Sequence, residues 1–214
     1  MTTAPAPLRI DRVRTAGIFS LDGQDYDVEN NIWLLGTDTD VVVIDAAHDA
    51  APIAAAVGDR HVVAIVATHG HNDHINAAAD LAAAVGAPIA LHPDDRMLWD
   101  VVHPDRAPDA ELADGQELSV GGTVARVLHT PGHSPGGVCL YVEAAGVVFT
   151  GDTLFNGGPG ATGRSWSDYP TILASIRTRL FTLPGATVVH TGHGDDTTIG
   201  SEAPHLDEWA ARAG

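Results

Sequence analysis

Residues 68–74, with the sequence THGHNDH, constrain the fold of this chain more than any other segment. They carry three imidazoles and one carboxylate directly after the apolar residues 62–67. The side chains of a strand alternate between two faces, so a strand cannot aim such closely spaced groups at one point. The loop after a strand can do so, and Gly70 gives this loop the backbone freedom to curl. Imidazole and carboxylate suit zinc, and also iron or manganese, so the segment predicts a metal site.

Three further stretches repeat this design, because each runs from an apolar strand into a Gly-containing turn with a metal-capable side chain. These turns carry His133, Asp152 and His193. A chance cluster of histidines on a solvated loop, as in an expression tag, is the alternative, but it does not account for the other three strand ends. Loops at converging strand ends are where α/β folds place functional groups. We therefore expect all four turns to meet around one metal centre.

The length of the chain bounds its organisation. A chain of 214 residues buries about 70% of its unfolded surface, so its core needs no disulfide. We therefore expect residues 1–214 to form one domain. The single cysteine, Cys139, lies in the apolar stretch 138–142, and we expect a buried, inert thiol that does not ligate zinc.

The charge of the chain restricts its partners. It has 28 acidic residues against 11 basic ones, all of them arginine, and a net charge of −17. Such a charge repels phosphate backbones, so we expect a small-molecule substrate and no nucleic acid. No apolar run reaches the ~20 residues that a membrane helix needs. The first residues, MTTAPAP, lack the basic region and apolar stretch of an export signal, so we expect a cytoplasmic protein that does not bind membranes. The pattern does not indicate an oligomeric state.

Hydrophobic periodicity predicts strands and helices in both halves of the chain. Predicted strands cover residues 13–19, 27–35, 41–45, 88–91, 117–120, 123–128, 138–142, 147–150 and 187–190. Predicted helices cover residues 50–57, 76–85, 94–102 and 170–181, with further helical pieces after residue 199. This mixture supports an α/β domain with a substantial sheet.

Several loops and histidines outside the four turns need an interpretation. Residues 103–115 predict a surface loop that could overhang the site. Residues 156–163 are too rich in glycine for a regular element, and we expect them to line the site; no Gly-Lys-Ser/Thr follows, which disfavours a phosphate loop. His129 and His190 close apolar strands, so we expect supporting or core roles for them. We expect surface positions for His92 and His103, and no ligand role for three others, which are His48, His61 and His205.

Together these motifs resemble the metallo-β-lactamase fold superfamily, and in particular its glyoxalase II-like hydrolases. The pieces are the segments 69–74, HGHNDH; 129–137, HTPGHSPGG; 149–155, FTGDTLF; and 191–194, TGHG. The resemblance implies a four-layer αββα sandwich with metals at one edge of the two packed sheets. Glyoxalase II proper continues into a helical C-terminal domain, whereas this chain ends about twenty residues after His193, so we expect that domain to be absent.

The resemblance also implies seven ligands shared by two divalent metal ions, with zinc expected and iron or manganese as alternatives. One ion would be held by His69, His71 and His133, the other by Asp73, His74 and His193, with Asp152 bridging. A hydroxide between the ions would attack a carbonyl carbon, and one ion would stabilise the resulting oxyanion. Asp73 and Asp152 are the predicted catalytic residues, and Asp73 can help to orient the nucleophile.

Asp45 ends a predicted strand where the resembling proteins carry an aspartate. It would then steady the loop at residues 68–74, called the metal loop below, as a buried hydrogen-bond partner. The alternative is that Asp45 caps the helix at residues 50–57.

For glyoxalase II-like proteins the resemblance implies a small thioester as substrate. Glutathione-binding members grip that peptide with basic residues, whereas Arg164 is the one basic residue in a predicted site loop here. We therefore expect Arg164 to bind substrate. We also expect the substrate to be a thioester whose thiol is not bound in the way glutathione is, or a plain ester.

Other functions are open at this stage. Persulfide dioxygenases share the clustered motif but use one iron held by two histidines and an aspartate. Lactone hydrolysis is a further alternative. Secreted β-lactamases of this fold carry cysteine where Asp152 stands, together with an export signal, so that activity is disfavoured. Metals that merely brace the fold are disfavoured too, because seven ligands for two ions leave open coordination positions.

Overall fold

The structure is a computed structural model that describes residues 7–211. Residues 1–6, on which the expectation of no export signal depends, lie outside the described part, as do residues 212–214. Within residues 7–211, no helix is long and apolar enough to cross a membrane.

The first of two large sheets has six strands in the order of the sequence. They are β1 (Arg9–Leu21), β2 (Gln24–Gly36), β3 (Asp40–Ile44), β4 (His61–Val66), β5 (Ile89–Leu91) and β6 (Ala110–Glu111). The first three strands pair antiparallel, and the pairs from β3 to β6 are parallel. The turn between β1 and β2 is Asp22-Gly23, and both of its residues have positive φ, as the primed hairpin turns require.

The second large sheet also has six strands, in the order β14-β13-β10-β9-β8-β7. They are β7 (Glu117–Val120), β8 (Thr123–His129), β9 (Val138–Val142), β10 (Val147–Gly151), β13 (Val188–Thr191) and β14 (Thr197–Thr198). Strands β10 and β13 are parallel, and the other neighbours are antiparallel. A small separate ladder pairs β11 (Leu154–Phe155) with β12 (Gly158–Pro159).

Helices lie between the strands and after them. The α-helices are α1 (Ala50–Val57), α2 (Asn72–Ile75), α3 (Ala78–Val85), α4 (Arg96–Val102), α5 (Tyr169–Ser175), α6 (Ile199–Glu202) and α7 (Leu206–Ala211). Short 3₁₀ turns cover Pro93–Asp95, Glu143–Ala145 and Ala203–His205, and a π turn, Ile176–Leu180, continues α5. Asp49 caps α1 by accepting a hydrogen bond from the Ala51 N–H at 2.9 Å.

Alternation along the strands builds three apolar cores. In β2, Ile32 and Leu34 pack in the core that includes α1 and α3 residues, while Trp33 and Leu35 pack in the core between the two sheets. Successive side chains of a strand point to opposite faces, so one apolar run serves both layers. A third core joins the second sheet to α5 and α7. The layers are therefore helix, sheet, sheet and helix, which confirms the expected αββα sandwich.

The predicted elements are confirmed in most places, and three predictions are wrong. The predicted helix 76–85 is observed as α3, but the preceding loop does not stay open as far as His74, because the helical turn α2 places Asp73 and His74 on helical backbone. The Gly-rich residues 156–163 contain β12, whose two residues pair with β11. The loop 103–115 contributes the edge strand β6 and does not line the main cavity, because its hydrogen bonds hold it against β5.

The thiol of Cys139 is fully buried, as the sequence predicts. Burial raises the pKa of this thiol to about 11, because a low-dielectric environment penalises the thiolate. Its neighbours are the Thr130 hydroxyl, at 3.2 Å, and the Thr150 carbonyl.

Truncating a side chain in the helix-facing core should cost much of the stability. Leu34 is 0% exposed, so we expect Leu34→Ala to lower the free energy of unfolding by about 2–5 kcal/mol through lost burial and the cavity that remains. Urea denaturation measures this change. Val101→Ala is the control, because Val101 is 81% exposed and its truncation should change stability by less than about 0.5 kcal/mol. Equal effects of the two substitutions would contradict the assigned core.

Candidate metal centre

Turns from both sheets supply the candidate ligands. The segment 69–74 follows β4 of the first sheet, while His133, Asp152 and His193 follow β8, β10 and β13 of the second. Main-chain hydrogen bonds join the sheets here, from Val138 N–H to the Thr68 carbonyl at 2.8 Å and from Asn31 N–H to the Gly192 carbonyl at 2.8 Å. The strand ends therefore converge, and all seven predicted ligands come together.

One group of donors consists of His69, His71 and His133. Their candidate ligand atoms all lie within 4.8 Å of one another. The nitrogens closest to each other are His71 Nδ1 and His133 Nε2, at 3.0 Å. His133 Nδ1 lies 2.8 Å from the Ala161 carbonyl oxygen, an arrangement that orients the ring with Nε2 toward the group.

A second group consists of Asp73, His74 and His193, with ligand atoms again within 4.8 Å. His74 Nε2 and His193 Nε2 are 3.2 Å apart, and His193 Nε2 lies 3.3 Å from Asp73 Oδ2. His193 Nδ1 lies 2.8 Å from the Glu29 carbonyl oxygen, which likewise leaves Nε2 facing the group.

Asp152 lies between the two groups. Its Oδ1 is 3.3 Å from His74 Nε2. Its Oδ2 is 3.5 Å from His133 Nε2 and 3.5 Å from His193 Nε2. The carboxylate therefore contacts members of both groups, as a bridging ligand would.

The electrostatics of the two groups differ. Burial lowers the pKa of His69 well below its usual value, and it lowers that of His71 to about 3. In the second group burial also disfavours the charged forms of the imidazoles and carboxylates, but the attraction between these opposite charges outweighs the effect of burial. The pKa of His193 rises to about 10, chiefly through Asp152, and that of Asp73 falls to about 2 through His74 and His193. Burial thus favours the neutral forms of His69 and His71, whereas attraction between opposite charges dominates in the second group.

The donor set fits divalent metal ions. Among residues 7–211, the buried polar atoms without a hydrogen-bond partner include His69 Nε2, His71 Nε2 and Asp152 Oδ1. A buried polar atom without a partner is costly. A cation among these atoms would satisfy His69 Nε2 and Asp152 Oδ1 through their lone pairs. His71 contributes through Nδ1, and its buried Nε2 has no such explanation.

Asp45 supports the metal loop, which decides between its two predicted roles. It accepts hydrogen bonds from the Thr68 N–H at 2.7 Å and the Thr68 hydroxyl at 2.8 Å. Its Oδ2 also lies 2.9 Å from His74 Nδ1, so that His74 presents Nε2 to the other donors. The alternative of a helix cap is wrong, because Asp49 caps α1.

Asn30 and His48 belong to the centre, although the sequence analysis assigned them no role there. Asn30 is 0% exposed, and its Nδ2 donates to Asp73 Oδ2 at 3.1 Å. His48 Nε2 lies 2.8 Å from Asn30 Oδ1 and fixes the amide. The signal that could have revealed Asn30 is a polar pair, Asn30-Asn31, at the start of a fully apolar strand segment.

The remaining histidines are engaged elsewhere. His129 Nε2 lies 3.0 Å from the Pro135 carbonyl oxygen, and His190 Nδ1 lies 3.1 Å from Asp196 Oδ2, consistent with their expected supporting roles. The surface positions expected for His92 and His103 are wrong. His92 is 8% exposed and stacks on His129, with ring centroids 4.1 Å apart, while His103 is half-buried and contacts the Ile75 carbonyl.

A cavity of about 530 Å³ opens onto the centre. The candidate ligands His71, Asp73, His133, Asp152 and His193 contribute to its lining. Its apolar wall comes mainly from the β1–β2 hairpin, with Phe155 of β11 and Ala161 beside it, and the hairpin contributes Phe19, Leu21 and Val28.

Arg164 lines the cavity, as predicted, and its guanidinium stacks on aromatic rings of the β1–β2 hairpin. The Arg164 Cζ lies 4.4 Å from the Tyr26 ring centroid and 5.3 Å from that of Phe19. Next to it, the Ser165 N–H donates to Asp22 Oδ2 at 2.9 Å, which ties this loop to the hairpin tip. Asp27 and Glu29 add two carboxylate residues to the same lining. The cavity therefore combines an apolar and aromatic wall with carboxylates, and its lining contains one arginine and no lysine.

Comparisons with known proteins agree with this architecture. Residues 25–193 match the family described as Metallo-beta-lactamase superfamily. The chain is 37% identical to the hydroxyacylglutathione hydrolase GloC of Haemophilus influenzae over 158 residues, 67% of this chain and 74% of that protein. The crystal structure of TTHA1623 in a di-iron-bound form is similar, with a TM-score of 0.72 and 34% identity, over 82% of this chain and 93% of that one. The crystal structure of the BLEG-1 B3 metallo-beta-lactamase has a TM-score of 0.77 and 29% identity, over 91% of this chain and 99% of that one.

Removing bound metal should destabilise the protein. An ion that binds only the folded state adds about 4 kcal/mol when its concentration is 1,000 times its Kd. For a chain of this size, chelation should therefore lower the melting temperature by on the order of 10 °C. Calorimetry with and without chelator measures the shift. His61→Ala should keep the full shift, because this ring contacts Asp40 and is exposed; His69→Ala should reduce it. A wild-type melting temperature that is insensitive to chelation would contradict the metal centre.

Proposed function

This chain belongs to the metallo-beta-lactamase superfamily, and from that premise we propose that it hydrolyses small thioesters with the help of two divalent metal ions. The observation that carries the proposal is the convergence of five imidazoles and two carboxylates, five of which line one cavity. Seven donors around two ions leave coordination positions open, as a catalytic site requires and a closed structural site does not.

The proposal assigns the ligands by their contacts. His69, His71 and His133 would hold one ion, and Asp73, His74 and His193 would hold the other. Asp152 would contribute to both, which its distances of 3.3–3.5 Å to His74, His133 and His193 support. Zinc is the expected metal. The di-iron form of TTHA1623 makes iron the first alternative for this chain.

Two ions bound here would lower the pKa of water and polarise a carbonyl oxygen. The residues of the chain prepare the site for this chemistry. The pKa of Asp73 is held at about 2, because His74 and His193 outweigh the effect of its burial, so the carboxylate accepts hydrogen bonds at neutral pH. Asn30 fixes its Oδ2, and Asp73 can then orient the attacking water. The hydroxyl of Ser167, which lines the cavity, is tied to Gly163 and Arg164, so it is not poised as a nucleophile.

A thioester is the proposed substrate class because the similar protein GloC is a hydroxyacylglutathione hydrolase by name. The cavity of this chain favours a leaving thiol that lacks the two carboxylates of glutathione. Arg164 stacks on Tyr26, and the exposed carboxylate of Asp27 repels anions, whereas that of Glu29 is paired with Arg14 at 3.3 Å. Among the lining residues, glutathione would meet no lysine and a single arginine, Arg164, for its two carboxylates.

A substrate panel tests the proposed reaction. Thioesters should be cleaved faster than the matched esters and lactones by protein of measured metal content. Asp152→Ala should lower kcat/KM at least about 100-fold, because the carboxylate that joins the two groups is lost. Asp59→Ala removes an exposed carboxylate and should leave the rate unchanged. Thioesterase activity that survives in Asp152→Ala would refute the assignment, and a preference for lactones or esters would change the substrate class.

Matched thioesters with one acyl group and different thiols test the charge of the leaving group. A neutral thiol should give kcat/KM about 5- to 10-fold above that of glutathione, because each unit charge a few ångströms from a carboxylate costs about 1 kcal/mol in water. Asp27→Asn should narrow this preference. Asp25→Asn is the control, since it removes the same charge from the same strand outside the cavity lining. Saturation with S-lactoylglutathione at the efficiency of a good glyoxalase would overturn the thiol assignment.

A mononuclear iron dioxygenase is the second candidate. The second donor group, with two imidazoles and a carboxylate, matches the ligand set of non-haem iron oxygenases. Oxygen consumption with glutathione persulfide, by protein that holds one iron per chain, would favour this function over hydrolysis.

A further inference from the structure

Asp95 is a fully buried carboxylate outside the proposed ligand set. It ends the 3₁₀ turn Pro93–Asp95 between β5 and α4, and it is 0% exposed. Burial raises its pKa, while the donors that surround it act in the opposite direction. A buried carboxylate is costly unless hydrogen bonds compensate for lost hydration, so its surroundings indicate what it does.

Three hydrogen bonds to Asp95 come from two different loops. Oδ2 accepts from the Gly70 N–H at 2.8 Å and from the Ser134 hydroxyl at 2.7 Å. Oδ1 accepts from the Gly136 N–H at 2.6 Å. Gly70 lies between His69 and His71, and Ser134 directly follows His133. One side chain therefore joins both loops that carry the first donor group.

The close approach of main chain to Asp95 explains two glycines. A Cβ at Gly70 would lie 2.8 Å from Leu98 Cβ and 3.1 Å from Asp95 Cβ. A Cβ at Gly136 would lie 2.8 Å from Asp95 Cγ. The sequence predicts that Gly70 lets the loop curl, but Gly70 does not have a positive φ. Its role is to leave space, so that its N–H can reach the carboxylate.

We propose that Asp95 is a positioning residue that fixes His69 and His71 relative to His133, and thereby sets the metal affinity of the first donor group. The inference rests on the ligand assignment of the proposed function, but it does not depend on the substrate. A metal ligand must lie within about 0.2 Å of its ideal distance, so two loops on different sheets need a common anchor. The carboxylate supplies it with strong, charge-assisted bonds.

Asp95→Asn tests this role without changing the size of the side chain. An amide offers one oxygen and one NH₂, so either the Gly70 or the Gly136 N–H would face another donor. Zn²⁺ titration of metal-free protein by calorimetry should give one site weakened about 10- to 100-fold and one site unchanged. Excess Zn²⁺ should restore occupancy. Asp105→Asn is the control, because that side chain is exposed and belongs to none of the groups that could hold an ion.

Ser134→Ala provides a graded variant in case Asp95→Asn does not fold. It removes the hydroxyl bond and keeps both main-chain bonds, so the weakened site should lose less affinity than in Asp95→Asn. A merely structural role predicts a different result, in which the melting temperature of the metal-free protein falls while both sites keep wild-type affinity. That result would overturn the proposal, and so would equal weakening of both sites.

The outcome separates this inference from the proposed reaction. Two ions bound, one of them weakly in Asp95→Asn, would support the positioning role even if no thioester is cleaved. If the wild-type protein binds a single ion, the same comparison applies to that ion. Unchanged affinity in Asp95→Asn would then overturn the role.

Discussion

The structure depends on seven metal-capable side chains gathered at one edge of the sandwich, of which four are buried and His133, Asp152 and His193 are partly exposed. Asp73 and His74 are 3% and 0% exposed, so these two side chains have little access to water. Burying such groups is unfavourable unless each one has a partner. The partners here are opposite charges, fixed amides and carbonyl oxygens. The arrangement of the surrounding loops follows from the need to keep these partners in place.

The layout of the fold could be predicted because its signals are local. Alternating apolar residues indicate strands that bury both faces, and polar side chains at their ends indicate where the chain leaves the sheet. The strand ends at residues 66, 129, 151 and 191 all meet one edge, which is why ligands far apart in sequence could be assigned to one site. The Asp22-Gly23 dipeptide between β1 and β2 is an equally local signal, typical of a hairpin turn.

The supporting residues could not be predicted, because their roles arise only from tertiary contacts. Asp95 is separated by 25 residues from one partner and by 41 from another, and no periodicity marks it. His48 acts through Asn30, at a distance of 18 residues in sequence. His92 looked exposed because it follows a short strand in a polar stretch, yet the ring of His129 covers it. Sequence patterns identify donors, but the groups that orient donors depend on packing.

The division of ligands between the sheets links metal binding to the packing of the whole domain. The first sheet provides the loop at residues 69–74, and the second provides His133, Asp152 and His193. Neither sheet alone contains a complete donor group, because each group draws on both. An ion would therefore bind only after the two sheets have packed, and its binding free energy would add to the stability of that packed state. Contacts such as those of Asp95 and Asp45 lower the cost of this assembly, since they align the loops before any ion arrives.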